Sequence, residues 1–393
     1  MSRRIQLAAV VAMALVLAVC SAQSSVRNSS PREAALALEQ QGENAEAETE
    51  WTAVLKAHPA DSEAYAHLGL LEARQEHYKQ AIVFYRKALI GAPHMRSLHL
   101  NLGLALFKAG ELKPAIMEFG PLLKSAPPNS PEVDRLDVLL GMAYYGQQDY
   151  ARAVPYLKAA AARDPQNLEL RLTLAHSCLW SKQYQCVLDT YHEILLQNAE
   201  SAEADMLAGE ALDSLKDPAG AIKQFRAAVQ SNPKEPDVHF GLGYLLWTQR
   251  QYPEAATELQ AELVNDPNHA MALTYLGDAE LQLNNPESAR PLLEKAIRIN
   301  PSVELAHLDL GVLLSDAGHD GEGLRELQIA ARLAPGDTDV HWRLGRLYRK
   351  MGRMQEAKLE FSKANSLHKA ENDAVIQKMS PPPAAPTTPA THP

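Results

Sequence analysis

Apolar positions along this chain recur at offsets of three, four and seven, and the pattern breaks and restarts every dozen or so residues. His99, Leu102, Gly103 and Leu106 share one helical face, and Ala115, Phe119 and Leu122 repeat the spacing a short distance on. Lys108-Ala109-Gly110 stands between the two runs, and Asn284-Asn285-Pro286 punctuates a later pair in the same way. The spacing predicts an all-α chain made of helical hairpins.

The hairpins repeat with a period of 34. Units begin at Asn28, Ser62, Arg96, Asp134, Leu168, Ala202, Pro236, Ala270, Glu304 and Thr338, so ten of them fill residues 28–371. The one irregularity is a four-residue insertion, Ser130-Pro131-Glu132-Val133, before the fourth unit, expected to lengthen the turn there, loosen the stacking of the third and fourth units and attract proteolysis. The eighth residue is Gly in all but two units, where Ala35 and Ala175 stand. The twentieth is Ala except at Val187 and Gly323, and the thirty-second is Pro except at Ala199 and Lys369. Small residues at positions 8 and 20 predict a close crossing of the two helices. The bulky residue at position 24 (Trp51, Tyr85, Phe119 and their equivalents) then fills the groove. Proline at position 32 ends the second helix, because it lacks a donor and restricts its predecessor.

This arrangement resembles the tetratricopeptide repeat (TPR) family over residues 28–371. The resemblance implies a right-handed α-solenoid superhelix of stacked hairpins, with first helices lining a concave groove and second helices facing outward. It also implies a protein-binding role without naming the ligand. The family's carboxylate clamp of Lys, Asn and Arg is not reproduced. The corresponding positions hold Ala66, Leu70, Leu100 and Leu104, and Asn101 is the one polar match.

Outside the array, Arg3 and Arg4 precede an uncharged apolar run from Leu7 to Cys20, and Cys20-Ser21-Ala22 supplies small residues for cleavage. Residues 1–22 therefore read as a secretory signal, since a membrane span takes roughly 20 apolar residues. Leu17-Ala18-Val19-Cys20 also resembles a lipobox, which would place a lipid on Cys20, although Val19 stands where Gly, Ala or Ser is usual. Residues 23–27 form a leader. Lys369 in place of the stopping proline predicts a last helix running through 372–379, and 380–393 is a Pro/Thr/Ala-rich tail expected to stay unpacked. The formal charge of −10 becomes two units more negative if Arg3 and Arg4 are removed, which argues against nucleic acid and anionic membrane as partners.

The chain carries little recognisable chemistry. Gly241-Leu242-Gly243 is a fragment of a dinucleotide fingerprint inside a predicted helix, and 318–323 (GHDGEG) reads as a hairpin bend. His99, His239, His307 and His341 all occupy position 4 of their units, which suits helix packing better than a shared metal. Glu210, Asp213 and Asp278 are the nearest approach to a carboxylate group for catalysis. No catalytic residue, cofactor or metal is expected. Cys178 and Cys186 sit across the fifth hairpin, as a disulfide in an oxidising compartment or as two small buried side chains.

Positions 5, 9 and 12 share a first-helix face of their own, and it is unusually apolar. It carries Leu104, Phe107, Met142, Tyr145, Leu172, Leu179, Met206, Phe240, Tyr244 and Trp247, with Trp180 at position 13 beside them. Either this strip docks a partner or the coil is tight and the side chains pack on each other. Trp342, Arg346, Arg349 and Lys350 form a basic patch in the last unit, suited to an acidic ligand. The reading is an exported scaffold, periplasmic or secreted, that binds a protein segment in its groove. A glycan-binding module using Trp180, Tyr244 and Trp247 is the rival, and an unrecognised enzyme is the third reading. Membrane attachment would come only from a lipid on Cys20 or an uncleaved signal.

Overall fold

The computed structural model describes residues 30–197 and 200–379, and these contain twenty helices and no strand. The signal, Cys20, the leader and the tail lie outside the described residues. The chain forms two compact units divided at 199/200, each of five helical hairpins. The first unit holds α1 (Pro31–Gln41), α2 (Asn44–Ala57), α3 (Ser62–Arg74), α4 (Tyr78–Gly91), α5 (Arg96–Lys108), α6 (Leu112–Ser125), α7 (Pro131–Gly146), α8 (Tyr150–Arg163), α9 (Leu168–Trp180) and α10 (Tyr184–Leu195). The second holds α11 (Ala202–Ser214), α12 (Pro218–Ser231), α13 (Val238–Thr248), α14 (Tyr252–Asn265), α15 (Ala270–Gln282), α16 (Pro286–Ile299), α17 (Glu304–Asp316), α18 (Asp320–Leu333), α19 (Thr338–Lys350) and α20 (Met354–Met379). Each unit is an α-solenoid. Among the described residues, no helix is long and apolar enough to cross a membrane.

Position 8 meets position 24 in the hairpin crossing. A Cβ placed on Gly103 would stand 2.4 Å from the Phe119 ring, and one on Gly243 would stand 2.8 Å from Leu259. The glycines are therefore required by close approach rather than by backbone conformation, and the side chains they admit (Tyr85, Phe119, Leu259) are fully buried. Wherever proline occupies position 32, the second helix ends two residues before it, as at Ala57, Gly91 and Ser125.

The bends have a feature that no residue type announces. In all ten hairpins position 15 is left-handed, with φ between 59° and 85°. Glycine fills that place only at Gly42, Gly110, Gly318 and Gly352, while Glu76, Gln148, Lys182, Lys216, Arg250 and Asn284 adopt the same conformation.

The insertion of Ser130–Val133 does not lengthen a loop. Ser130 becomes the N-cap of α7, accepting from Val133 N, and the other three inserted residues form an added helical turn. Proline at the first helical position and Glu132 near the helix N-terminus both favour that outcome. Arg96 at the start of α5 then bonds the Leu122 carbonyl and the Glu132 carboxylate, tying the third repeat to the fourth. A loosened joint here is not observed, and the division between compact units falls at 199/200, beside the repeat that lacks its proline.

Candidate functional site

The apolar strip belongs to two separate units. In the first, Leu104 and Phe107 are half-buried and pack against the core around Phe119 and Leu136, while Met142 and Leu172 are also half-buried. Leu179 is not a surface residue: α9 is buried round most of its circumference, Thr173, Ser177 and Cys178 included, and leaves Leu179 at 8% exposure. Trp180 is 47% exposed and stacks against Tyr145, Tyr150 and His176, with centroids 6.0, 4.7 and 4.9 Å away. The Cα atoms of Cys178 and Cys186 lie 5.8 Å apart, and their sulfurs are bonded across the hairpin.

In the second unit Met206 is half-buried against the core around Phe225, and the aromatics converge. Phe240, Tyr244 and Trp247 on α13 gather around Tyr275 of α15, at 6.2, 5.1 and 4.8 Å between centroids. All are half-buried, so much of each ring is covered by its neighbours. Trp247 Nε1 donates to Asp278 Oδ2 at 2.5 Å, and Gln282 donates to Oδ1 of the same carboxylate. Burial first, then Tyr244, Asp278 and Glu304, push the Tyr275 phenol up to about 12. The ring therefore stays neutral at physiological pH.

The basic patch is partly used up. Arg343 and Arg346 lie over the Trp342 ring at 5.7 and 4.9 Å, and Arg349 lies over Phe361. Lys350 is already paired, its Nζ donating to the Ser315 carbonyl and to Asp320 at 2.6 Å. A cavity of about 540 Å³ remains beside Arg346 and Arg349.

The position-4 histidines are structural clamps. Nδ1 of His99, His239, His307 and His341 meets Glu118, Glu258, Glu326 and Glu360 of the same hairpin at 2.6–2.7 Å. Nε2 of His99, His307 and His341 also reaches the carbonyl of the preceding proline, at 2.9–3.1 Å. In His99 both ring nitrogens face an acceptor, an arrangement that favours the protonated ring. The Glu118 hydrogen bond, helped by the Pro93 carbonyl, raises the His99 pKa.

Among the described residues, Asp237, Glu262 and His269 are the group whose ligand atoms converge, within 4.8 Å. The bonding there is already complete. His269 Nδ1 accepts from Ala272 N, which leaves the proton on Nε2 to bond Asp237, and Glu262 accepts from Phe240 N. This tautomer offers a metal no free imidazole lone pair.

In the last three repeats position 6 went unread in the sequence. Tyr275, Asp309 and Arg343 are its occupants in the eighth, ninth and tenth repeats, and all three prove central to this surface. Reading that column, 34 residues apart, would have found them.

Comparison with known proteins agrees with the repeat geometry. Models of the tetratricopeptide repeat match residues 32–96, 144–211, 188–236, 240–304 and 338–370. The TPR repeat-containing protein YpiA of Bacillus subtilis is 23% identical over 62% of this chain and 57% of its own. BBSome complex member BBS4 of Bos taurus is 25% identical over 59% and 46%. The chain thus spans about half the length of these curated relatives. The crystal structure of YrrB, described as a TPR protein with an unusual peptide-binding site, aligns with 48% of this chain and 98% of its own, at 20% identity and a TM-score of 0.39. With its 34-residue hairpins and these matches over well over half its length, the chain belongs to the tetratricopeptide repeat family.

Proposed function

We propose that this protein is an exported, non-catalytic scaffold that holds a segment of another protein against the apolar faces of its first helices. TPR proteins in general mediate protein–protein interaction, and the finer reading rests on one observation. Four aromatic rings from two adjacent repeats, Phe240, Tyr244, Trp247 and Tyr275, form a half-buried shelf whose remaining faces are open to a ligand. Rigid aromatics of this kind commonly dominate binding energy, each truncation costing roughly 2 kcal/mol or more. The apolar run ahead of Ala22 supports export.

The test is binding of the mature chain to an array of capped peptides and, in parallel, to soluble oligosaccharides. Tyr244→Ala should weaken peptide capture more than tenfold while the far-ultraviolet spectrum stays helical. Sugar binding without peptide binding would replace this reading with the glycan one. Retention of a tagged chain in the cytosol would remove export.

A further inference from the structure

In the second unit, α15, α16, α17 and α19 line a cavity of about 620 Å³ in which five acids (Asp278, Glu287, Asp309, Asp316 and Asp339) outnumber Arg290 and Arg343, and Arg290 is itself paired with Glu294. Most of these groups are already engaged. Arg343 Nε bonds both Asp339 oxygens at 3.2 Å, and Asp278 is held by Trp247 and Gln282. Asp309 differs: its Oδ2 is buried and has no hydrogen-bond partner. Native structures rarely keep a buried carboxylate oxygen without a donor, and neither Asp309 Oδ2 nor the nearby Glu304 Oε1 finds one within the unit. The surrounding acids Asp278, Glu304 and Asp339 favour a cationic donor over a neutral one.

A bare metal ion does not fit. The carboxylates here are not among those whose ligand atoms converge within 4.8 Å, whereas the cavity has room for a guanidinium or ammonium on its methylene stem. Tyr275 and Trp247 stand beside Asp278 and offer ring faces to such a stem.

We propose that this cavity receives an arginine or lysine side chain of a partner segment, with the cation beside Asp309 Oδ2 and the segment lying over Tyr275 and Trp247. The segment's position rests on the scaffold reading above, but the cavity is testable alone. Burial, then Asp278 and Glu304, hold the Asp309 carboxyl well above the ordinary carboxylate range, with Arg343 opposing and Asp339 adding to the rise. A docked cation reverses that balance and releases the proton, so affinity increases with pH.

The experiment uses the full chain with acetyl-arginine amide and its neutral isostere acetyl-citrulline amide, followed by saturation-transfer NMR and calorimetry. The arginine probe should bind at least tenfold tighter than citrulline, and tighter at pH 8 than at pH 5.5. Asp309→Asn should abolish that preference while raising the melting temperature, since it removes a buried acid from acidic surroundings. Equal binding of the two probes would overturn the proposal, as would discrimination that survives in Asp309→Asn or a variant that melts higher with probe binding unchanged. Calcium chloride displacing the probe and itself binding more tightly would make this a metal site instead. A capped peptide, Ac-Leu-Phe-Arg-Leu-Ala-NH2, supplies the second arm. If the small probe binds and the peptide gains nothing from Tyr275 and Trp247, the cavity stands and the scaffold reading fails.

Discussion

The indole nitrogen of Trp247, in the last turn of α13, donates to the carboxylate of Asp278 in the middle of α15, joining the aromatic shelf of one repeat to the acidic wall of the next. Trp247→Phe should keep the edge-to-face contact with Tyr275 and lose only this bond. Asp278 is 6% exposed, and a buried acceptor deprived of a donor costs about 1–3 kcal/mol. A loss toward the lower end is expected because Gln282 still donates. Urea titration of wild type and variant measures it, and an unchanged midpoint would show that the bond contributes nothing.

Stability should be greater at pH 5.5 than at pH 8. The raised pKa of His99 means that its contribution is complete below the ordinary histidine value and is lost as pH rises through the folded value. Glu304, raised by burial and by Asp337 and Asp339, acts in the same direction, as does Asp309: each is protonated more readily folded than unfolded, so folding loses their contribution as pH rises. The opposite arm comes from lowered carboxyls. Asp149 is held down by Arg152, and in Glu360 the hydrogen bonds from Lys363 and His341 outweigh burial. Their contribution is present above the ordinary carboxylate range and fades in stronger acid. Urea midpoints across this range, with His99→Gln flattening the slope, check the sign.

Reducing the Cys178–Cys186 bond should destabilise the first unit. The sequence separation is 8, and the loop-entropy estimate for so short a loop is about 2.5 kcal/mol. Mass spectrometry of the unreduced native protein is expected to find no alkylatable thiol at either position. Two free thiols in native material would refute the bond.

Glycine at position 15 should stabilise the hairpins that lack it. Gln148 and Arg250 have φ of 61° and 59°, a conformation costing an L-residue roughly 1–2 kcal/mol, part of which glycine returns through its freer unfolded chain. Gln148→Gly and Arg250→Gly should each gain about 0.5 kcal/mol, read as a higher melting temperature. Gly110→Ala, where φ is 79°, should move the other way.

The inserted Ser130–Val133 invited the expectation of an exposed joint, open to proteolysis. With Pro131 at the first position of α7 and Glu132 bonded to Arg96, limited proteolysis should spare this segment as it spares other helices. Preferential cleavage at 130–133 would contradict the helical turn.

The chain's own periodicity determined the hairpins, their ten-fold repetition and the crossing of position 8 with position 24, because each is settled by residues within one 34-residue unit. Gly103 beneath Phe119 is legible from spacing alone: a missing side chain and a large one sixteen residues apart have one way to pack. Tertiary structure decided what depends on neighbours a full repeat away. Whether Leu179 is surface or core is set by how much of α9 the adjacent helices cover. Phe240, Tyr244 and Trp247 read as an exposed strip, yet they became a shelf because Tyr275 arrives from the next repeat. The left-handed turn at Arg250 leaves no mark in residue type, since packing of the two helices forces the bend whatever stands there. Asp309 is one more acid on a helix until Asp278, Glu304 and Asp339 close around it, and only that burial turns an ordinary carboxylate into an oxygen in need of a partner.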